Sequence, residues 1–428
     1  MWLTPPNIYP QDYLSVLTPT EDTQIKLNNP VSPSVVFKEK PQDQDVDELD
    51  KEGKLIENTK FFSFAAHDGD ITALIPTADG LGVFSAGADG KILYSYLVFK
   101  DQNTKDLATA TLYVESLLAS PRSVFALSLS PDGRYLAIGQ FSLISVLDMQ
   151  ERRIIAELTR VEGRITSLAW DPEGKLIALG RAGGDIFVWP FKDEWIQAEN
   201  RLDKLEHYSV GSSPIVKIIF HPSGRMFFTA EKSGGISAWR LLRTESEIGL
   251  RDEDNIVIDR KKEGNKRMAI GQIDGSIEDL YLVEGRNTLV ASTSDGRLMW
   301  WKIRGAQKIQ ALNVGAESIF ALVSYRRPDN KFILISTLRS QVIKFWCDIY
   351  TDKNDQEQVF MQTPKLKEVE FSQENINKYA LFAETPVFSS PVSFISHVND
   401  SKVLWVAQKT GNLLAFNVEM LNDLNYCY

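Results

Sequence analysis

Cysteine is nearly missing from this chain: its 428 residues include two, Cys347 and Cys427, and no Cys-x-x-Cys pair. That excludes a disulfide framework and fits a reducing interior. Histidine is almost as scarce. His67, His207, His221 and His397 lie far apart, without the i,i+4 spacing of a helical zinc site, so neither a metal nor another cofactor is expected. No run approaches the roughly 18–20 consecutive apolar residues that span a membrane. The opening MWLTPPNIYPQDYL has neither the basic nor the continuous apolar region of a secretory signal. Positive charge is in deficit as well: 47 basic against 57 acidic residues, net −10, argues against general affinity for nucleic acid or anionic membrane. A cytoplasmic location is the expectation.

What the chain does have is repetition. Seven copies follow one another, among them ITALIPTADGLGVFSAGADGKILYSY, VFALSLSPDGRYLAIGQFSLISVL and ITSLAWDPEGKLIALGRAGGDIFVW. Each is a short apolar strand, a turn, a second apolar strand, a Gly-containing turn and a third strand ending on a bulky residue. A sheet of this size cannot bury both faces alone, so the copies must stack, as in a propeller or solenoid. Third strands are expected to end at Ser95/Tyr96, Leu147, Trp189, Trp239, Trp301, Trp346 and Phe416. The spacing leaves room for a fourth strand and variable insertions in every unit.

Residues 1–52 carry no repeat, contain seven of the 18 prolines, and end in the acidic run 43–50. Low hydrophobicity with proline and charge predicts a flexible arm, and residues 53–428 are assigned to the repeat domain. After Phe416 twelve residues remain, too few for a turn and a fourth strand. The segment Lys60-Phe61-Phe62-Ser63-Phe64 precedes the first complete copy and reads as an orphan fourth strand. The fold class is therefore all-β: a seven-bladed β-propeller of four-stranded antiparallel blades, with the last blade closed by an N-terminal strand and a flexible N-terminal extension. Closure removes exposed sheet edges.

The copies resemble WD40 repeats across about residues 60–419. Ala66-His67 stands in the place of Gly-His, Ser130-Pro131-Asp132-Gly133 matches the first turn, and Ser85-Ala86-Gly87-Ala88-Asp89-Gly90 and Ser294-Asp295-Gly296 match the second. Trp189, Trp239, Trp301 and Trp346 hold the Trp place. No Trp is followed by Asp, and Gly-His is absent from later copies. The resemblance implies a structural hydrogen-bond relay of His, Ser, Asp and Trp. It can be drawn only in part, through His67, Ser85 and Asp89, because Ser95 replaces the Trp of copy one.

Few residues suggest chemistry. His67, Ser85 and Asp89 have the composition of a nucleophilic triad, but no Gly-x-Ser-x-Gly elbow accompanies them, and the structural role is preferred. The glycine-rich segments 180–184 and 232–235 lie between strands and lack the helix N-terminus that cradles phosphate. His221, in His221-Pro222-Ser223-Gly224, belongs to a surface turn. The adjacent Trp300 and Trp301 point to opposite faces of one strand, both between blades. Specificity is expected in three insertions, since loops on a rigid scaffold carry recognition. Residues 192–205 place Trp195, Ala198, Leu202 and Leu205 on one helical stripe, which either packs on the ring or offers Trp195 to a partner. Residues 244–267 end in Arg260, Lys261, Lys262, Lys266 and Arg267, either a solvated loop or a contact for an acidic surface such as the run 43–50. The third insertion spans residues 351–379.

These observations predict a non-enzymatic scaffold that binds one or more proteins through its rim loops and the N-terminal arm. The alternatives are a propeller-type hydrolase or lactonase, using groups such as Glu278, Asp279 and His397 at the central channel, and a permanent subunit of a larger machine. Partner identity and oligomeric state do not follow from the residues.

Overall fold

The computed structural model describes residues 54–55, 61–99, 110–159, 161–191, 205–241, 267–283, 287–315, 317–327, 332–349, 378–384, 388, 390–398 and 401–418. Within them the chain forms seven sheets, each built on four antiparallel strands, and in six of these the four follow one another in sequence order. Blade one consists of Ile71–Pro76, Gly82–Gly87, Lys91–Phe99 and Ala110–Ala119. Blade three consists of Ile165–Trp170, Leu176–Arg181, Asp185–Pro190 and Glu206–Ser209, and blades two, four, five and six repeat the plan.

Blade seven closes the ring. Val392–His397, Val403–Gln408 and Asn412–Asn417 are completed by Phe61–Ala65, which pairs antiparallel with the third strand from Phe61 opposite Phe416 to Ala65 opposite Asn412. Both ends of the domain thus share one sheet, as the strand arithmetic predicts. Lys54–Leu55 adds a short parallel strand to the outer edge of blade six, on Lys378–Glu384.

The core is seven interfaces rather than one centre, because period-two alternation gives every strand two buried faces. Between blades four and five, Phe228, Ile236 and Ile270 meet Leu280, Met299 and Trp301. Between blades five and six, Leu298 and Trp300 meet Leu322, Leu334 and Trp346. Trp300 and Trp301 therefore enter neighbouring interfaces, at 1% and 3% exposure. The interface between blades seven and one holds Phe64, Trp405, Val83 and Leu97, and the Trp405 indole N–H donates to the Gly80 carbonyl at 3.2 Å.

The third strand of blade one runs past the expected Ser95/Tyr96 end to Phe99. It continues because Tyr96 through Phe99 pair with Ala110–Tyr113, and Leu97 and Phe99 are buried against blade seven. In six blades the first strand shifts register after its first residue, as between Ile71 and Ala73. The bulged Thr72 hydroxyl donates to the Ala86 carbonyl of its own blade and the Val124 carbonyl at the start of blade two. Thr166 repeats the bridge, to Gly180 and Ile215. A bulge re-aims one side chain out of the ladder, and here it ties adjacent blades at the hub.

Candidate interaction surface of the rim

Two kinds of loop line one face of the ring: the turn from second to third strand, and the connection from each fourth strand to the next blade. In blade one they are held together by His67 and Asp89. Asp89 accepts hydrogen bonds from the Lys91 and Asp68 amides, both 3.1 Å, and lies 3.1 Å from His67 Nδ1. A carboxylate can only accept, so Nδ1 carries the proton and Nε2 accepts from the Ser85 hydroxyl at 2.9 Å. Burial drives the His67 pKa below its ordinary value despite the pull of Asp89. Burial would raise the Asp89 pKa, but the amide and imidazole hydrogen bonds outweigh it and lower it. The imidazole is therefore neutral near pH 7.

Ser85 is 0% exposed, so its hydroxyl meets no substrate. Ser95, at the Trp place of blade one, is equally buried, and its hydroxyl has no hydrogen-bond partner. The other half of the pattern appears elsewhere: Trp239 donates to Thr229 Oγ1 at 3.0 Å in blade four, and Trp346 to Ser336 Oγ at 2.8 Å in blade six. His and Asp serve blade one, and Trp serves blades four and six.

The channel candidates are placed apart, each in its own contacts. Glu278 pairs with Lys232 of blade four at 2.6 Å. Asp279 accepts the Leu322 amide of blade six at 2.9 Å and faces Lys217 at 3.4 Å. The His397 ring spans the carbonyls of Ser324 and Ser401, 3.0 Å from each. Asp279 belongs with Ser167, whose hydroxyl accepts the Ile218 amide of the next blade at 2.8 Å. Both stand at the third residue of a first strand and satisfy a backbone N–H of the following blade. Among the described residues no group of three His, Cys, Asp or Glu is placed to hold a metal.

Of the expected contact residues, Trp195, Arg260, Lys261, Lys262 and Lys266 lie outside the described residues. Arg267 opens the fourth strand of blade four. Its guanidinium donates to Glu231 Oε1 at 2.7 Å and Ser237 Oγ at 2.9 Å, and lies 5.7 Å from the centre of the Trp239 ring. A further N–H donates to the carbonyl of Val210, just after the fourth strand of blade three, at 3.3 Å. Burial raises the Glu231 pKa, and Arg267 opposes the rise. His221 sits at a turn as expected, with Nδ1 against the Ser223 hydroxyl and Nε2 3.0 Å from Asn287 Oδ1 of blade five.

One rim residue escaped the sequence reading. Phe141, at the second-to-third turn of blade two, is 60% exposed. The signal was available: copy two reads Gly139-Gln140-Phe141-Ser142-Leu143 where Asp-Gly or Gly-Gly stands in several others.

The closed ring defines a seven-bladed β-propeller. The family model "WD domain, G-beta repeat" matches residues 155–190, the end of blade two and most of blade three. COMPASS component SWD3 of Saccharomyces cerevisiae is 25% identical over 198 residues, covering 46% of this chain and 59% of that protein. Small ribosomal subunit protein RACK1 of Candida albicans is 31% identical over 134 residues, 29% of this chain and 38% of its own. Telomerase protein component 1 of Rattus norvegicus is 20% identical over 325 residues, 70% of this chain and 11% of its own. The chain therefore spans less than two thirds of each of these curated relatives. A chain from "Crystal Structure of Mitotic Checkpoint Complex" superposes with a TM-score of 0.58 at 11% identity, over 83% of this chain and 93% of that one, a likeness of fold alone. The chain thus carries one repeat matched by the WD family model, and these relatives together with the fold support a likeness to WD40 β-propellers. No helix among the described residues is long and apolar enough to cross a membrane.

Proposed function

We propose that the propeller is a non-enzymatic protein–protein interaction scaffold that binds its partners through the rim loops and the N-terminal arm. The observation that carries this reading is the commitment of its polar chemistry to the framework. Ser85 and His67 are buried and bonded to each other, and Glu278, Asp279 and His397 each tie one blade to another. Catalysis needs a nucleophile or base within reach of substrate, whereas a scaffold needs a rigid frame and variable loops. Relatives named as a COMPASS component and a small ribosomal subunit protein support a role within assemblies. The same reading places the protein in the cytoplasm, with protein partners rather than nucleic acid.

The test is affinity capture of the tagged full-length chain from its native cytosol, quantified by mass spectrometry beside a form lacking residues 1–50. One or two partners at near-stoichiometric amounts are expected, diminished when the arm is missing. Absence of any enriched partner in both forms, together with turnover of an ester or lactone by the pure chain, would refute the scaffold.

A further inference from the structure

Blade two breaks the rule of the rim. In the other six blades five residues separate the last paired residue of the second strand from the first paired residue of the third, as between Ala86 and Ile92 or Ala230 and Ile236. In blade two Gly139 pairs with Ile144, leaving four, with Phe141 and Ser142 at the apex. The short turn is held firmly. Gln140, 3% exposed, donates from its side chain to Ser120 Oγ at 2.9 Å and the Arg122 carbonyl at 3.0 Å. On its other side the Ser142 amide donates to the Gly163 carbonyl, and the Gly163 amide donates to Ser142 Oγ, both 2.8 Å. Ser142 pays for this with a φ of 55°, a region costly for a residue with a Cβ. Phe141 itself bridges Arg164 through the backbone. The framework thus fixes the backbone of a turn that carries an aromatic side chain into water.

The charges around it differ from those at the matching turns of blades one, three, four and five. Lys91 pairs with Asp68, Arg181 with Asp185, Lys232 with Glu278 and Arg297 with Asp295. Arg122 and Arg164, in the loops on either side of the Phe141 turn, are exposed and have no ion-pair partner among the described residues. The Arg164 guanidinium lies 4.3 Å from the centre of the Phe125 ring, which leaves its N–H edges for an incoming acceptor. Those loops carry one acid, Glu162.

We infer that Phe141, Arg122 and Arg164 form a docking site for an acidic segment of a partner protein that presents an apolar side chain to Phe141 and carboxylates to the two arginines. This deepens the scaffold reading and rests on it. An exposed aromatic on a firmly held turn, flanked by arginines without ion pairs, suits an interface anchor, and carboxylates match the fork of a guanidinium.

The experiment selects phage-displayed random dodecapeptides on the full-length chain. Affinities of the enriched peptides are then measured by fluorescence polarisation at 50 and 200 mM salt. Enriched peptides should combine an apolar side chain with flanking acids and bind more weakly at the higher salt. Phe141→Ser and Arg164→Glu should each weaken them tenfold or more, with an unchanged melt because both side chains are exposed. Arg339→Glu, at an exposed rim arginine of blade six, should leave binding unaltered. Failure to enrich any peptide, enrichment of basic peptides, or equal binding by wild type and the Phe141 variant would overturn the site. Partner capture that survives both variants would then leave the general scaffold reading in place without this site.

Discussion

Replacing Gly90 with alanine tests how the rim is welded. Gly90 closes the second-to-third turn of blade one at a φ of 75°, and its carbonyl accepts the Ser120 amide at 2.9 Å. A Cβ there would lie 2.0 Å from the Ser120 carbonyl oxygen and 2.9 Å from that of Arg122. Gly133, in the first turn of blade two, has a φ of 73° with nothing within 4 Å of the same position. The two sites share the backbone penalty, about 1–2 kcal/mol for a left-handed alanine. Only Gly90→Ala must also push the following loop away. That loses a hydrogen bond worth about 1 kcal/mol and adds strain of about 1–2 kcal/mol, typical of overpacking. The expected losses are about 1–2 kcal/mol for Gly133→Ala and about 3–5 kcal/mol for Gly90→Ala. Urea unfolding followed by tryptophan fluorescence gives both, provided the m values agree. Equal losses at the two positions would refute the argument, and with it the idea that turn-to-loop contact stabilises each blade junction. The same approach, 2.0 Å to the Gly315 carbonyl oxygen, occurs at Gly296.

Two further outcomes follow from closure and from the buried imidazole. Removing residues 1–66 deletes Phe61–Ala65 and bares the third strand of blade seven, so the cooperative melt should disappear. Removing 1–50 spares that strand and should leave the melt unchanged; identical melts for both truncations would contradict closure as a source of stability. Because burial lowers the His67 pKa from its ordinary 6.5, the unfolded chain binds the proton first as pH falls. The contribution of His67 is thus complete above about pH 6.5 and declines below it, down to the lowered native value. His67→Gln should flatten thermal stability between pH 6.5 and 5 by at most about 1.4 kcal/mol per pH unit, and an unchanged slope would argue against a neutral buried imidazole.

Much of the fold was legible because it is written locally. Alternation within Ile165–Trp170 or Thr288–Thr293 and turn residues such as Asp132-Gly133 identify strands and their hairpins without knowledge of any neighbour. Phe61–Ala65 could be placed because its apolar segment stands before the first complete copy with no strands of its own, and it completes the sheet of Val392–His397, Val403–Gln408 and Asn412–Asn417. The extra residues of the blade one third strand were missed because their pairing partners lie beyond an insertion, at 110–113. The site was far less legible. Asp279 and His397 looked like channel groups, and Arg267 like a free cation, until the adjoining blades supplied the Leu322 amide, the Ser324 carbonyl and the Val210 carbonyl.

The sequence by itself determined the blade count, the all-β class and the closing strand, since period-two burial and turn chemistry act over a few residues. Only the tertiary structure decided which polar side chains are committed and which are offered. Ser167 and Ile218 are partners across 51 positions of sequence, and Phe141 is exposed because both flanking loops grip its turn from outside. Burial and hydrogen-bond partnership are properties of two blades together, and one copy of the repeat cannot specify them.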